Sequence, residues 1–485
     1  MVTSENALLN EMIKFPNELI KIVWGDEIEE SIFERWSQPF EFSNDERSAL
    51  IQYEGGPCSV LTTVQAHLLN ELIFCRRCQT DWRQSSNYEI DLHFLNALVS
   101  ILHLLSSSNK KIYLAYFNNE KEKKNLTIKQ FHEQIQFYLC QSNIDLKQQI
   151  FSRLQMWKNS YGVLLFLYSC LMTKTIDLLK KEIDDETTLP LIDIAHGHGS
   201  QCLTNLLITG FATPHCFDGE KDISGLKLYG IRQQASIGFL SSLEIYRLME
   251  VGWFLKNPKS PIWILGSETH LTVIFSREQA LVEQDQNETP LKKSLKKNLI
   301  LKMNIKKTGC FNKIILVFHK YDTERNGFIS NNLLEQVINE INIKIENVIN
   351  EIIELSIIKI NLTLNQLKQR MDPDNLQIIT ESSFIKELFP QDKYQNSTNH
   401  QLEPLNGKPF VIYHYNGLPR SNKDNKVRYA SAEAIISDYG YGNDTPISAV
   451  APVQPGSYLP ITGLLRTKWP TIELKWDNDL KPSLN

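Results

Sequence analysis

Cysteine is scarce in this sequence, 8 residues in 485, and the positions (58, 75, 78, 140, 170, 202, 216 and 310) follow no regular framework. Met1–Asn10 is polar and mixed, without the basic-then-apolar order of a secretory signal. The thiols are therefore expected to be mostly reduced, and the chain to reside in the cytoplasm, the nucleus or both. Cys75 and Cys78 have CxxC spacing, but they fall in a helical pattern and no second pair follows at zinc-ribbon distance, so they read as structural. No apolar run is read as reaching membrane-spanning length, and no membrane partner is expected. The net charge is only -5, which argues against a general nucleic-acid binder. What remains, 42% hydrophobic and 22% charged, is an ordinary globular composition in a chain long enough for more than one domain.

Against that plain background one stretch stands out. Gln52-Tyr53-Glu54-Gly55-Gly56-Pro57-Cys58-Ser59 is a tightly punctuated loop. Leu61, Val64, Leu68 and Leu72 follow at helical spacing, so an amphipathic helix is expected over 59–74. Cys58 then opens a helix, where unpaired backbone N–H groups and the macrodipole favour an anion. Such a setting lowers a thiol's pKa and exposes a nucleophile. Gln52, six residues earlier, carries an amide that could donate to an oxyanion formed at Cys58. The bland alternative is a buried, inert cysteine after an ordinary turn. A partner tips the balance. Pro261–Ser276 alternates with period two, with Leu271, Val273 and Phe275 on one face and His270, Thr272 and Ile274 on the other. A histidine entering a strand, far downstream of a helix-opening cysteine, is how a papain-like fold presents its base.

The rest of the chain frames these residues. Leu19–Trp24 reads as a helix, residues 88–183 as mostly helical with a strand over 113–117, and 240–249 as another helix. Pro409–Asn416 reads as a strand able to pair beside the His270 strand, and Thr467–Trp476 as a last strand. His196, His198, His215 and Cys216 invite a zinc reading, but their spacings match no closed site, and loop histidines bonding backbone or substrate account for them. Lysines 292, 293, 296, 297, 302, 306 and 307 form a basic linker or a nuclear-import patch, which the sequence does not separate. Phe318–Leu334 has the outline of an EF-hand loop, with Asp322, Glu324 and Asn326 at ligand positions one, three and five, Gly327 at the turn and Ile329 at position eight. Position twelve, where a bidentate Glu belongs, is Leu333, so calcium is not expected as a cofactor and any affinity should be weak. Met371–Ile379 reads as a more decayed second loop.

Three motifs together resemble a known family, the MINDY deubiquitinases, cysteine proteases selective for lysine-48-linked ubiquitin chains. They are Gln52…Gly56-Pro57-Cys58, Leu207-Ile208-Thr209-Gly210…Phe217-Asp218-Gly219, and Gly266-Ser267-Glu268-Thr269-His270-Leu271-Thr272-Val273. The EF-hand-like insertion and the Arg466-Thr467-Lys468-Trp469-Pro470 ending point to the branch that carries an EF-hand. The likeness spans roughly 15–280 and 405–485. It implies an α+β papain-like cysteine protease fold: residues 1–284 as the first part of the catalytic domain, 285–400 as an inserted helical EF-hand-like module, and 401–485 as its C-terminal strands. It further implies Cys58 as nucleophile, His270 as base and Gln52 as oxyanion donor, with ubiquitin and lysine-48-linked chains as partners. The residue orienting His270 is left open among Asn416, Glu268 and Thr272. A catalytically silent ubiquitin-binding adaptor and a different cysteine-nucleophile amidase or transglutaminase-like enzyme are the rivals.

Overall fold

A computed structural model describes residues 13–74, 82–106, 111–117, 125–183, 190–282, 317–318, 320–322, 328–346, 368–369, 371–372, 377–380, 383–384, 407–437, 460–477 and 482–485. The chain divides into two compact units: Met1–Gln284 with Pro404–Asn485, and Asp285–Glu403.

The first unit begins with strand β1 (Ile13–Lys14) and helices α1 (Asn17–Trp24) and α2 (Glu30–Trp36). Strands β2 (Glu41–Phe42) and β3 (Leu50–Ile51) form a two-stranded ribbon that leads into the long helix α3 (Cys58–Phe74). A helical stretch follows: α4 (Asn87–Leu105), strand β4 (Ile112–Phe117), α5 (Ile128–Gln134), strand β5 (Ile135–Cys140), α6 (Asn143–Trp157), α7 (Gly162–Lys174), α8 (Ile176–Glu182) and α9 (Gln201–Thr209). β4 takes up the strand expected at 113–117, and it pairs antiparallel with β5, which the sequence pattern does not announce among its helical neighbours. Next come the hairpin β6 (Glu220–Ile223) and β7 (Leu226–Tyr229), strand β8 (Gly238–Ser241), short helices α10 (Ser242–Ile245) and α11 (Trp253–Lys256), and strands β9 (Ile262–Gly266) and β10 (Leu271–Ser276).

Two expectations are corrected here. The region 240–249 holds a single helical turn, because fully buried Leu240 is drawn into β8, where it pairs parallel with Leu265 of β9. α4, at 19 residues, is by length and composition apolar enough to cross a membrane, contrary to the reading that no run reaches that length. Its ionisable Glu89, Asp91 and His93 cluster in the first turns, which leaves Phe94–Leu105 mostly apolar; Phe94, Ala97, Leu98, Ile101 and Leu102 are spent on the core, between α3, α6, α7 and α9.

In the second unit, β11 (Phe328–Ser330) and helix α12 (Leu334–Glu346) are followed by β12 (Ile378–Thr380). β11 and β12 pair antiparallel through Ile329 and Ile379, both buried with Phe318, Leu334, Val337 and Phe384. The candidate ligands Glu324 and Asn326 and the lysine run 292–307 lie outside the described residues.

The chain then re-enters the first unit with β13 (Phe410–Tyr415), β14 (Tyr429–Ile435), α13 (Pro460–Leu465) and β15 (Glu473–Trp476). The last strand is shorter than the sequence suggests, since Arg466–Trp469 still donate backbone hydrogen bonds to the preceding helix. These strands complete a six-stranded sheet in the order β15-β14-β13-β10-β9-β8, antiparallel except for β8 and β9. β13 lies directly beside β10, with Val273 opposite Tyr415 and Phe275 opposite Tyr413. Successive residues of β9 and β10 alternate between two apolar clusters. Ile264, Val273 and Phe275 join the large core with α3, whereas Trp263, Leu265 and Ile274 join a second one with Ile461 and Leu464 of α13. Both faces are thus covered. α3 is likewise buried nearly all round rather than amphipathic, because α4, α7 and α9 pack on it as well as β9 and β10.

That dense core holds histidines in neutral form. Burial pushes His67 of α3 down to about 4, and burial followed by the nearby His270 pushes His414 of β13 down to about 3. An unfolded histidine titrates near 6.5, so below that pH the unfolded state binds protons the folded state refuses. Stability should be unaffected by these groups above pH 7 and fall as pH drops from about 6.5 toward 4, each group adding up to about 1.4 kcal/mol per pH unit. Urea unfolding of the wild type and of His67→Gln and His414→Gln across pH 7 to 5 checks this; the slope should be shallower in each variant.

Candidate active site

The loop that carries Gln52 is held from several sides by uncharged groups. Gln65 of α3, fully buried, accepts from Leu50 N (2.7 Å) and donates to Ser48 O (3.0 Å) and Tyr429 Oη (3.1 Å). Tyr415 Oη donates to Leu50 O (2.6 Å), and Gln52 N donates to Gly417 O (2.8 Å). Gln38 accepts from Tyr53 N (2.8 Å) and donates to Glu54 O (3.1 Å). The Gln52 side chain is buried, and its Nε2 donates to Glu54 O (2.9 Å), so the amide closes its own loop.

Gly56 then turns the chain into α3 at φ +130°, and a Cβ there would meet Trp36 Nε1 at 3.0 Å and Gly197 O at 3.1 Å. Those two atoms are themselves bonded at 2.8 Å, which ties the 193–199 loop to α2 beside the start of α3. Gly199 approaches α3 even more closely; a Cβ would lie 2.1 Å from Ser59 Oγ. Only glycine fits such contacts.

Cys58 is the first residue of α3, as expected, and is buried. Thr62 Oγ1, one turn on, donates to Leu271 O (3.1 Å), which fastens the first turn of α3 to the start of β10. The backbone N–H of Leu271 faces the Cys58 thiol, together with those of Ser59 and Cys58 itself. His270 immediately precedes Leu271, so the strand-entry histidine lies one residue along the backbone from the N–H that faces the thiol.

His270 sits on a tight turn between β9 and β10, where Ser267 N donates to His270 O (3.0 Å) and His270 N donates to Ser267 Oγ (3.0 Å). Of the three candidates for its orienting partner, Asn416 makes the contact, with Nε2 of His270 3.0 Å from Asn416 Oδ1. Glu268 is exposed on the turn, and the Oγ1 of buried Thr272 finds no hydrogen-bond partner among the described residues. The Asn416 amide has a determinate orientation: its Oδ1 also accepts from Leu418 N (3.0 Å), and its Nδ2 donates to Ser483 O (3.1 Å). With Oδ1 facing it, His270 Nε2 must carry the proton, which assigns the lone pair to Nδ1.

The electrostatics differ from the expected helix-activated thiolate. Burial pushes the Cys58 thiol up to about 11, although the backbone N–H groups of Leu271, Ser59 and Cys58 work in the opposite direction. Burial likewise pulls His270 down to about 4, against the hydrogen bond it donates to Asn416 and aided by His198 and Arg420 nearby. Desolvation outweighs the helix terminus, because removing water penalises either charged form more than a few oriented N–H groups repay. At neutral pH the pair is a thiol and a neutral imidazole.

Among the described residues the histidines form no metal-binding group. His196 pairs with Asp193 (3.2 Å), His215 stacks on Phe217, and among the described residues no group of three His, Cys, Asp or Glu side chains could hold an ion. The second motif is structural. Gly210 caps α9, which packs on α3, and Asp218 accepts from Trp253 N (2.7 Å) and Phe254 N (3.0 Å) to start α11. Sequence reasoning missed the buried amides Gln38 and Gln65, the approach of His198, and Ser483; none carries a local pattern, since each is defined by a partner far along the chain.

A family model described as "Deubiquitinating enzyme MINDY-3/4, conserved domain" matches residues 21–292. Ubiquitin carboxyl-terminal hydrolase MINDY-3 of Homo sapiens is 36% identical over 98% of this chain and 100% of its own length, and that of Danio rerio 36% over 96% and 99%. The MINDY-3 homolog of Drosophila melanogaster is 32% identical over 96% of this chain and 82% of its own length. No solved structure matches the chain. The chain belongs to the MINDY-3/4 family of deubiquitinating enzymes.

Proposed function

We propose that the chain hydrolyses isopeptide bonds in lysine-48-linked polyubiquitin by a thiol mechanism, with Cys58 as nucleophile, His270 as base, Asn416 orienting it and Gln52 as an oxyanion donor. That it is a ubiquitinyl hydrolase follows from its family; the linkage and the residue roles are our reading. The observation that carries the roles is the seam itself: Leu271 N–H faces the Cys58 thiol while the adjacent His270 is held through Nε2 by Asn416. A helix-opening cysteine, a strand-entry histidine and an asparagine on the neighbouring strand's end form a papain-like arrangement.

Because the pair is neutral at rest, the thiol proton moves to His270 Nδ1 as sulfur attacks the carbonyl carbon of ubiquitin's C-terminal glycine. Negative charge then develops on the carbonyl oxygen, toward the Cys58 backbone N–H and the Gln52 amide. Collapse breaks the C–N bond, and His270 returns the proton to the leaving lysine amine. Water, deprotonated by His270, releases the acyl group and restores the thiol. A free nucleophilic thiol suits the reducing cytoplasm or nucleus, where we place the chain.

We assign no calcium role to the second unit. Asp372, in its second loop, already accepts from Asn331 Nδ2 (3.1 Å) and Gln377 N (2.9 Å), and the first loop has Leu333 at its twelfth position. Ile329 and Ile379 join the two loops through backbone pairing that requires no ion.

Three measurements test this reading. Linkage-defined ubiquitin chains resolved on a gel should show lysine-48 cleavage by the wild type and none by Cys58→Ala, which should still bind chains; residual cleavage by pure Cys58→Ala would refute the nucleophile. Alkylation of Cys58 by iodoacetamide, followed by peptide mass spectrometry, should be slower at pH 7.5 than for free cysteine and climb with pH beyond 9, as a thiol pushed up to about 11 requires. A fast, pH-independent reaction would mean an ion pair at rest. Millimolar calcium should change neither the melting temperature nor cleavage, and Leu333→Glu should gain calcium affinity measurable by calorimetry.

A further inference from the structure

We propose that the segment Ser483–Asn485 is a positioning element for His270, fixing the amide of Asn416 on one side and the Ser267–His270 turn on the other. The inference rests on His270 being the base.

The Asn416 side chain has two possible orientations, related by a half-turn about its last bond. In the one observed, Oδ1 receives His270 Nε2 (3.0 Å) and Leu418 N (3.0 Å), and Nδ2 donates to Ser483 O (3.1 Å). The flipped amide would set N–H groups against the Leu418 N–H and against the protonated nitrogen of His270, and a carbonyl against the Ser483 carbonyl. Ser483 O is thus the acceptor that rewards the productive orientation. Two residues on, Asn485 Oδ1 accepts from Ser267 Oγ (2.5 Å) and Thr269 Oγ1 (3.4 Å), and that same Ser267 Oγ receives the backbone N–H of His270.

The segment is itself fixed. Leu484 is buried in the apolar cluster with Leu240, Trp263 and Leu265, beneath the strands that lead into and out of the His270 turn. Ser483 Oγ donates to Asn485 O (2.6 Å) and accepts from Asn485 N (3.0 Å), closing a local turn around the buried leucine. One anchored residue therefore presents two polar neighbours, each to a different support of the same imidazole. Loosening them lets the ring leave its attack geometry, where a shift of about 1 Å can cost ~10²-fold in rate.

The test uses the full chain and lysine-48-linked diubiquitin. Asn485→Ala should lower kcat about tenfold with KM within about twofold, because the segment supports the base and not the substrate. Asn485→Asp, which keeps an oxygen for Ser267 and Thr269, should restore kcat to within about twofold of wild type. A chain lacking residues 482–485 should lose more, about 10²-fold in kcat. Asn485 is exposed, so its variants fold even where the loss of Leu484 destabilises the shortened chain, and they then decide alone. Unchanged kcat in Asn485→Ala, equal impairment of the Ala and Asp variants, or a rise confined to KM would each overturn the proposal. His270→Ala, assayed beside them, separates the two levels: inactive with fully active Asn485→Ala, the base reading stands and this inference falls; active, the base reading itself falls.

Discussion

The active-site reading depends on one contact, the seating of the first turn of α3 against the start of β10. Thr62 reaches the Leu271 carbonyl, Leu271 N–H faces the thiol, and His270 is the next residue back. The 193–199 loop and α2 approach the same helix start closely because side chains are left out. Gly56 and Gly199 sit where any Cβ would collide with Trp36, Gly197 or Ser59. Cys58 and His270 are both buried, and burial sets their chemistry. A helix N-terminus favours a thiolate by a modest amount, whereas burial disfavours either ion strongly, so Cys58 and His270 rest uncharged. An entering peptide carbonyl changes that balance only as charge develops on it, which directs stabilisation to the transition state rather than to the resting enzyme.

Around that seam the supports are amides, not ion pairs. Gln38, Gln65 and Asn416 each tie their own segment to backbone groups of another, Gln52 closes its own loop, and all four are buried. An amide offers both donor and acceptor at a fixed angle and does not titrate, so it holds loops without adding a charge that would have to be buried. The ion pair nearest the loop, Arg420 with Glu54 at 3.5 Å, is exposed on both sides and contributes little. The geometry of the site should accordingly respond weakly to salt, while global stability answers to acid through the buried histidines.

Legibility in the sequence followed the range of the interaction. Cys58 at a helix start and His270 at a strand entry were readable because glycine, proline and strand alternation act over a few residues. The β10–β13 pairing was readable as two strand patterns, but the choice of Asn416 over Glu268 and Thr272 needed the register that puts the end of β13 beside the turn. The thiol's electrostatics were misjudged for a related reason. The helix terminus is local and visible, whereas burial comes from segments far along the chain, the start of β10 among them, none of which is apparent from the loop itself. β5 and the single turn at α10 were lost because tertiary pairing overrode local helical propensity.

The point in the chain at which the second unit is inserted follows from the same register. The chain leaves β10 and returns in β13, and these strands are neighbours in one antiparallel ladder. The ends of the excursion are therefore brought together by backbone hydrogen bonds of the first unit, whatever lies between them. Closing a longer connection costs only slowly more entropy, about 0.6 kcal/mol for each doubling of length. His270 is mounted before β10 and Asn416 after β13, so their contact is set by the ladder and by Ser483, and nothing in it calls on the inserted residues. In the second unit the Ile329–Ile379 pairing closes a ladder of its own between β11 and β12. The His270–Asn416 contact and the second unit's own strand pairing are thus set by separate backbone ladders.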